Sequence, residues 1–276
     1  MGLISLLIAL ATPQVAFRRT ADVPYAQGPR GKLDVYEPRA RRHGAPVVVF
    51  FYGGNWDSGT KALYRFVGAT LAARGMVVVI PDYRVYPEGR FPVFLQDNAL
   101  AVRWAADHAA EHGGDAGKLF LMGHSAGAYD AAMLALEPRW LAEVGLQSAR
   151  DVRGLIGLSG PYDFLPLKRE RLKIIFGPPE GLSATQPINH IDGRGPPALL
   201  LAGAADRTVL PRNSQRLADR IRARGGEAET VIFPRASHAR TITDLLPLVG
   251  GGLGVRERIL AFVTARSAAT PTRAAA

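Results

Sequence analysis

The stretch that decides the fold is residues 118–136, KLFLMGHSAGAYDAAMLAL. Its first five residues are mostly apolar and predict a strand that is buried on both faces of a parallel sheet. Gly123-His124-Ser125-Ala126-Gly127 follows at once, and residues 126–136 then predict a helix that Pro138 stops. A G-x-S-x-G pentapeptide between a strand and a helix predicts a serine hydroxyl exposed on a strained turn. Ser125 is therefore the candidate nucleophile, and a plain helix N-cap is the alternative role for this residue.

The alternation of strand and helix continues on both sides of this stretch. Strands are predicted at 46–51, 76–80, 154–158, 198–201 and 229–233, and helices at 64–74, 93–112, 211–224 and 255–266. This order predicts an α/β fold with a mostly parallel central sheet and helices on both faces. Ligands of such sheets bind beyond the carboxyl ends of the strands.

Three segments are expected along the chain. Residues 1–32 form an N-terminal apolar segment and lead-in, 33–266 form the α/β domain, and 267–276 form a frayed tail. Within the domain, the proline-rich stretch 161–197 has no strand signal. This stretch is expected to form a small irregular cap over the carboxyl edge of the sheet.

Composition excludes several kinds of chemistry. The 276 residues are 47% hydrophobic and include no cysteine, which excludes disulfides, cysteine-ligated metals and a thiol nucleophile. The formal net charge of +10 raises the question of nucleic-acid binding. The basic residues are spread along the chain without a basic tail or an aromatic ladder, so a basic solvated surface is expected and a nucleic-acid partner is not.

Residues 3–11 form a short apolar run. The run is too short to span a bilayer, but its length suits the central region of a signal peptide. No Lys or Arg precedes it, so the alternative is a short helix that packs on the domain or contacts a membrane surface. A cytoplasmic and a cell-envelope location both stay open on this evidence.

Two further segments point to a known family. The predicted strand 46–51 runs into Tyr52-Gly53-Gly54-Asn55-Trp56, and residues 82–88 read DYRVYPE. Together with the pentapeptide around Ser125, these segments resemble the α/β-hydrolase superfamily. The similarity is to the small carboxylesterase branch with an HGGxW-type loop, which includes hormone-sensitive-lipase-like, feruloyl-esterase-like and kynurenine-formamidase-like enzymes.

The resemblance implies an oxyanion hole built from the backbone amides of Gly54, Asn55 and Ala126, with Gly53 as a supporting turn residue. Acyl transfer needs such N–H donors near the tetrahedral oxygen, and glycine lets the main chain approach closely. The sequence departs from the family pattern at one position: Tyr52 stands where the family usually has a histidine that helps to hold the loop.

The remaining catalytic groups follow from the chain order serine, acid, histidine that this fold uses. Asp206 comes in the loop after a late predicted strand, where the family keeps its acid; Asp163 and Asp192 are the competing carboxylates. His238 follows the last predicted strand and is the expected general base, because an imidazole titrates near neutral pH.

The other histidines are set aside on their positions. His43 precedes the first strong strand, His124 lies inside the pentapeptide, and His190 lies in the cap. His108 and His112 form an H-x-x-E-H sequence that is similar to an inverted zinc-protease motif. They lie at the polar end of a helix with no third ligand nearby in sequence, so a solvated helix end is expected, and neither a metal nor a cofactor is.

These observations predict a serine hydrolase that cleaves small carboxylic esters, with short-to-medium acyl or aryl groups, through an acyl-enzyme. An arylformamidase-like amide hydrolase is the alternative within the same class, and a non-catalytic binding protein on the same fold is the alternative from another class. Four aromatic residues are candidates for the substrate pocket: Trp56, Tyr86, Tyr162 and Phe164. The oligomeric state stays open.

Overall fold

The computed structural model describes residues 16–40, 43–246 and 251–269. The apolar run at 3–11 and the end of the predicted tail, 270–276, lie outside these ranges. The described residues form eight strands: β1 (Phe17–Pro24), β2 (Lys32–Pro38), β3 (Ala45–Phe51), β4 (Val77–Pro81), β5 (Gly114–His124), β6 (Val152–Leu158), β7 (Ala198–Gly203) and β8 (Ala228–Phe233). They form one sheet in the order β1-β2-β4-β3-β5-β6-β7-β8.

The sheet is mostly parallel, as the sequence predicts. All neighbours from β4 to β8 are parallel, whereas β1 pairs antiparallel with β2 and β2 antiparallel with β4. The interior strands β3, β4 and β7 are almost completely buried along their length. Burial on both faces explains why these strands are continuous apolar runs rather than alternating patterns.

Nine α-helices occur in the described part of the chain: α1 (Arg65–Ala72), α2 (Val93–His108), α3 (Ala126–Leu136), α4 (Pro138–Ala142), α5 (Ser148–Asp151), α6 (Glu170–Phe176), α7 (Arg212–Ala223), α8 (His238–Thr243) and α9 (Val255–Ala268). The crossover from β3 through α1 to β4 runs in one direction along the sheet, and the crossovers through α2, α3 and α7 run in the other. Because such crossovers are right-handed, reversing the direction places α1 on the opposite face from α2, α3 and α7.

This reversal positions the site. The chain leaves β3 toward one side of the sheet and leaves the neighbouring strand β5 toward the other. A crevice therefore opens between the carboxyl ends of β3 and β5, at the place where ligands bind in doubly wound sheets. The loop that contains Tyr52 to Trp56 follows β3, and Ser125 follows β5.

Most predicted elements occur within a few residues of their predicted bounds, and the differences have local causes. The helix predicted at 93–112 is α-helical only to His108, and a 3-10 turn at Ala109–His112 follows, closed by Gly113 with φ of 80°. The strands β1 and β2 are not predicted; β1 lies at the edge of the sheet and β2 lies beside it. In β1 the exposed residues outnumber the others, so its sequence carries little apolar signal.

The predicted cap, 161–197, is described throughout. It contains α6 and two short 3-10 helices at Leu182–Thr185 and Pro187–Asn189, and no strand. Among the described residues, no helix is both long enough and apolar enough to cross a membrane.

Candidate active site

Ser125 lies on a sharp turn between β5 and α3. Its φ of 55° and ψ of −124° are unfavourable for a residue with a side chain. The flanking glycines make the turn possible: a Cβ on Gly123 would collide with the carbonyl of Gly127, and a Cβ on Gly127 would collide with the carbonyl of Phe51. The Ser125 amide donates a hydrogen bond to the carbonyl oxygen of Leu158 at 2.9 Å, which ties the turn to β6.

Three predicted residues meet at this turn, although they are far apart in sequence. His238 Nε2 lies 2.9 Å from Ser125 Oγ, and His238 Nδ1 lies 2.7 Å from Asp206 Oδ2. The three side chains come from the loops that follow β5, β7 and β8. All three loops leave the carboxyl edge of the sheet, which is why the chain order predicts their meeting.

The surroundings of Asp206 keep its carboxyl group ionised. Burial raises the pKa of Asp206, but the hydrogen bond with His238 and the amides of Val209 and Thr208 outweigh it and hold that pKa below its usual value. The two amides donate to Oδ1 at 2.9 Å, and Oδ2 is left for the imidazole. Because a carboxylate only accepts, Nδ1 of His238 carries the proton and Nε2 is free to accept one from Ser125.

His124 is a second buried imidazole beside His238, with ring centroids 5.0 Å apart. Its Nε2 lies 3.2 Å from the carbonyl oxygen of His238, and its Nδ1 lies 3.4 Å from the hydroxyl of Tyr64. Burial, together with the charge of His238, lowers the pKa of His124 to about 3. His124 is therefore neutral at physiological pH, and it supports the backbone of His238 rather than exchanging a proton with Ser125.

The loop after β3 passes directly against Ser125. A Cβ on Gly53 would lie 2.8 Å from the Cβ of Ser125, so a larger residue would displace the serine. Gly54, Asn55 and Trp56 all have positive φ, at 146°, 51° and 58°. The carbonyl oxygen of Gly54 accepts hydrogen bonds from the amides of Asp57 and Ser58, and these bonds close the turn.

The geometry leaves backbone donors open on this side of the serine. Within the described residues, the amides of Gly54 and Asn55 donate no hydrogen bond. Ala126 is the first residue of α3, where the amide has no partner inside the helix. Of the four residues predicted for the oxyanion hole, Gly53 thus packs against Ser125, Ala126 follows Ser125 directly, and Gly54 and Asn55 continue the loop from Gly53.

Tyr52 is completely buried behind this loop and takes part in a charged network. Its hydroxyl donates to Asp82 Oδ1 at 2.9 Å and accepts from Arg30 at 2.6 Å. Arg30 also donates to the carbonyl of Gly59, and Tyr83 donates to the carbonyl of Tyr52. The tyrosine therefore ties the start of the loop to its end. It does so from the position at which the family that this sequence resembles usually has a histidine.

The predicted aromatic residues lie in different surroundings. Trp56 is 3% exposed and packs against Phe164 and Phe176. Tyr162 is completely buried, and its ring fills the space above Gly157 of β6. Phe164 is half-buried in the same cluster as Trp56, and Tyr86 is half-buried at the edge of the cap. Trp56 and Tyr162 are thus packing residues in this structure, while Tyr86 and Phe164 keep some exposed surface.

A buried carboxyl group that the sequence analysis did not single out fixes Trp56. The indole N–H of Trp56 donates to Asp130 Oδ1 at 2.9 Å, and the amide of Asn98 donates to Asp130 Oδ2 at 3.1 Å. Burial raises the pKa of Asp130 well above its ordinary value, although both hydrogen bonds oppose the shift. The signal was present in the sequence, because Asp130 is the only charged residue in the apolar stretch 126–136.

The alternative site residues lie elsewhere. His108 stacks on Trp104, and His112 contacts Glu37 at 2.9 Å, both at the end of the sheet where β5 begins. In the described ranges, no group of three or more His, Asp or Glu side chains is placed to hold a metal ion. Of the competing acids, Asp163 pairs with Arg216 and Asp192 with Arg194.

Comparison with known proteins agrees with this architecture. Esterase B of Lactobacillus rhamnosis aligns with a TM-score of 0.80 over 95% of this chain and 90% of that one, at 20% sequence identity. This likeness confirms the predicted α/β-hydrolase fold. At this level of identity the alignment concerns the fold alone.

Sequence relatives include an isoprenylcysteine alpha-carbonyl methylesterase of Arabidopsis thaliana. It is 30% identical over 252 residues, which cover 83% of this chain and 58% of the relative. A kynurenine formamidase of Salmo salar is 33% identical over 146 residues, covering 53% of this chain and 47% of the relative. The chain thus spans only part of the length of these relatives. The BD-FAE family profile matches residues 33–221, from β2 almost to the end of α7. The chain belongs to the BD-FAE family of α/β-hydrolase-type proteins.

Proposed function

We propose that this protein is a serine hydrolase that cleaves carboxylic esters through an acyl-enzyme. The observation that carries the proposal is the continuous hydrogen-bonded chain from Asp206 through His238 to Ser125, at 2.7 and 2.9 Å. A nucleophile, a base within hydrogen-bond reach and a carboxylate that orients the base are the arrangement that acyl transfer requires. The methylesterase relative supports the choice of an ester bond.

In the proposed mechanism, Ser125 Oγ attacks the acyl carbonyl while His238 Nε2 takes the hydroxyl proton. The carbonyl oxygen becomes an oxyanion that accepts hydrogen bonds from the amides of Gly54, Asn55 and Ala126. His238 then gives its proton to the departing alcohol, and an ester of Ser125 remains. Water attacks this ester and loses a proton to His238; His238 then returns the proton to Ser125 Oγ as the bond to the acyl group breaks and the carboxylic acid leaves.

Short-to-medium acyl or aryl esters are the proposed substrates. A formamide-cleaving enzyme is the second candidate, and the kynurenine formamidase relative is the observation that favours it. That relative matches only about half of this chain, so the ester remains the first proposal.

The proposal is tested by hydrolysis of p-nitrophenyl esters from acetate to palmitate, with an N-formyl arylamine measured in parallel. We expect turnover that is highest among the shorter acyl chains and at least about tenfold weaker on the formamide. A higher kcat/KM on the formamide would favour the second candidate. Equal rates for wild type and Ser125→Ala on every substrate would refute both.

Removing the hydroxyl of Tyr52 tests whether the network behind the loop supports the oxyanion donors. For Tyr52→Phe we expect about 1–2 kcal/mol less stability, because Arg30 and Asp82 lose a buried partner. We also expect kcat to fall about fivefold with little change in KM, because the donors act mainly on the transition state. Thermal unfolding and steady-state kinetics on the preferred ester measure the two effects.

The matched control is Tyr25→Phe. The Tyr25 hydroxyl also donates to Asp82, but to its backbone carbonyl, at 2.7 Å. This variant should lose comparable stability and keep kcat within about twofold, since its hydroxyl does not contact the loop. An equal loss of kcat in both variants would argue against a specific role for Tyr52.

Asp130 offers a second test of loop positioning. Asp130→Leu leaves the N–H groups of Trp56 and Asn98 buried without an acceptor, which costs about 1–3 kcal/mol for each group. Because Trp56 directly follows Asn55, we expect kcat to fall about tenfold as the loop loses its position. Asp130→Asn retains an acceptor for the indole and should stay within about twofold of wild type. A destabilised Asp130→Leu variant with unchanged kcat would show that packing alone positions the loop.

A further inference from the structure

One aromatic side chain at the edge of the cap carries two guanidinium groups. Arg90 lies 5.5 Å from the centroid of the Tyr86 ring, and Arg171 lies 4.4 Å from it. We call these three residues the Tyr86 cluster. Arg90 and Arg171 are both exposed, and Tyr86 is half-buried between the domain and helix α6. Stacking on the ring holds the two guanidinium groups in place and leaves their N–H edges open.

The Tyr86 cluster is connected through Trp56 to the loop that contacts Ser125. The Tyr86 amide donates to the carbonyl of Trp56 at 2.7 Å, and Trp56 is three residues from Gly53, which touches Ser125. Three residues of chain span at most about 10 Å, and a hydrogen-bonded backbone pair adds about 5 Å. The gap between Gly53 and Ser125 adds about 5 Å more, so the backbone of Tyr86 is within roughly 20 Å of Ser125.

The cluster differs from the other arginine–aromatic contacts of the described chain in its charge balance. Those contacts are made by Arg19, Arg139 and Arg266, and each of these guanidinium groups also pairs with a carboxylate, namely Asp34, Glu137 and Glu227.

Arg90 and Arg171 pair with no carboxylate in the described residues. Of the acids nearest in sequence, Glu170 is engaged by Lys173, and Glu88 is exposed and forms no ion pair there. Two uncompensated positive charges held on one ring leave an anion-binding capacity that the described protein itself does not fill.

We propose that the Tyr86 cluster binds a carboxylate carried by the substrate, on the part of the ester that is remote from the scissile bond. This inference rests on the proposed esterase function and narrows its substrate class to anionic esters. Guanidinium groups suit this role because their planar N–H edges match both oxygens of a carboxylate.

The test compares p-nitrophenyl esters of adipic and suberic acid that end in a free carboxylate with the same esters ending in a carboxamide. We expect the carboxylate to raise kcat/KM of the wild type about fivefold at low salt, mainly through KM, as befits a partly exposed charge pair. The preference should shrink in 0.5 M salt, where exposed charges are screened. In the Arg90→Gln, Arg171→Gln double variant, the ratio of kcat/KM for the carboxylate ester to kcat/KM for the carboxamide ester should fall to about one.

The matched control is Arg139→Gln, since Arg139 also lies on an aromatic ring, 4.1 Å from the centroid of Trp140, but is paired with Glu137. This variant should keep the fivefold preference. No preference in the wild type, or a preference that survives the double substitution, would overturn the proposal. Turnover of the carboxamide ester by each variant reports that the catalytic residues are still assembled.

A binding measurement separates this proposal from the esterase proposal. Calorimetric titration with suberic acid monoamide, which carries one carboxylate and no ester, does not depend on turnover. Binding by the wild type that the double variant loses would support the cluster even if no ester were hydrolysed. Hydrolysis of neutral esters without such binding would retain the esterase and reject the anion site.

Discussion

Replacing Ser125 by alanine is expected to lower kcat on the preferred ester by about 10⁴-fold or more, because the residual rate would come only from the oxyanion donors and binding. Stability should change little, since alanine keeps the Cβ and therefore the same strain at φ of 55°, and only a hydroxyl is removed. The measurement is steady-state hydrolysis of a p-nitrophenyl ester, with the spontaneous rate subtracted, alongside thermal unfolding.

Covalent labelling gives a second readout of the same prediction. A fluorophosphonate should modify the wild type once and leave Ser125→Ala unmodified, because only an activated serine reacts with it. Ser159 is the matched control, since it is also buried, follows the neighbouring strand β6 and has a positive φ, of 50°. Ser159→Ala should keep activity within a few-fold and retain the label. Full labelling of the Ser125→Ala protein would place the nucleophile elsewhere.

Asp206→Asn is expected to lower kcat by about 10⁴-fold, equivalent to about 5.5 kcal/mol, while the fold stays intact. The amides of Thr208 and Val209 donate to Oδ1, so they hold the amide oxygen of the new asparagine on their side. Its NH₂ group then faces Nδ1 of His238, which must accept rather than donate. The proton moves to Nε2, and the imidazole can no longer take one from Ser125.

The control for this prediction is Asp163→Asn, which removes a charge from the acid that follows the preceding strand and pairs with Arg216. Its activity should remain within a few-fold of wild type. Combining Asp206→Asn with Ser125→Ala should lower kcat little further, because the residues act as one unit. Near-normal activity of Asp206→Asn across the pH range would mean that another acid orients His238.

Much of the fold can be predicted from residues 118–136 and the apolar runs around them. Burial on both faces of a parallel strand leaves a continuous apolar run, and a helix on the sheet leaves a periodic one; both signals are local. The edge strand β1 escapes this reasoning because it is mostly exposed and its pairing with β2 depends on hydrogen bonds rather than on an apolar pattern.

The candidate catalytic residues are predictable for a related reason. Gly123 and Gly127 are required because a Cβ at either position would collide with a neighbouring backbone carbonyl. The glycines of the pentapeptide therefore indicate the sharp turn directly. Asp206 and His238 follow late strands, and parallel strands deliver their following loops to one edge of the sheet. Their positions after these strands, together with the resemblance to the family, were therefore enough to predict that they would meet Ser125.

The supporting contacts were decided by the tertiary structure. Tyr52 finds Arg30 and Asp82, which are 22 and 30 residues away, and Trp56 finds Asp130, which is 74 residues away. Sequence periodicity reports which side of an element is buried, but a buried polar group takes whichever partner the path of the whole chain brings within about 3 Å. The sequence alone thus determined the parallel strands of the sheet, the turn at Ser125 and the chain order of the three candidate catalytic residues. Only the packed structure decided which buried partners hold the loop from Tyr52 to Trp56, because those partners come from distant parts of the chain.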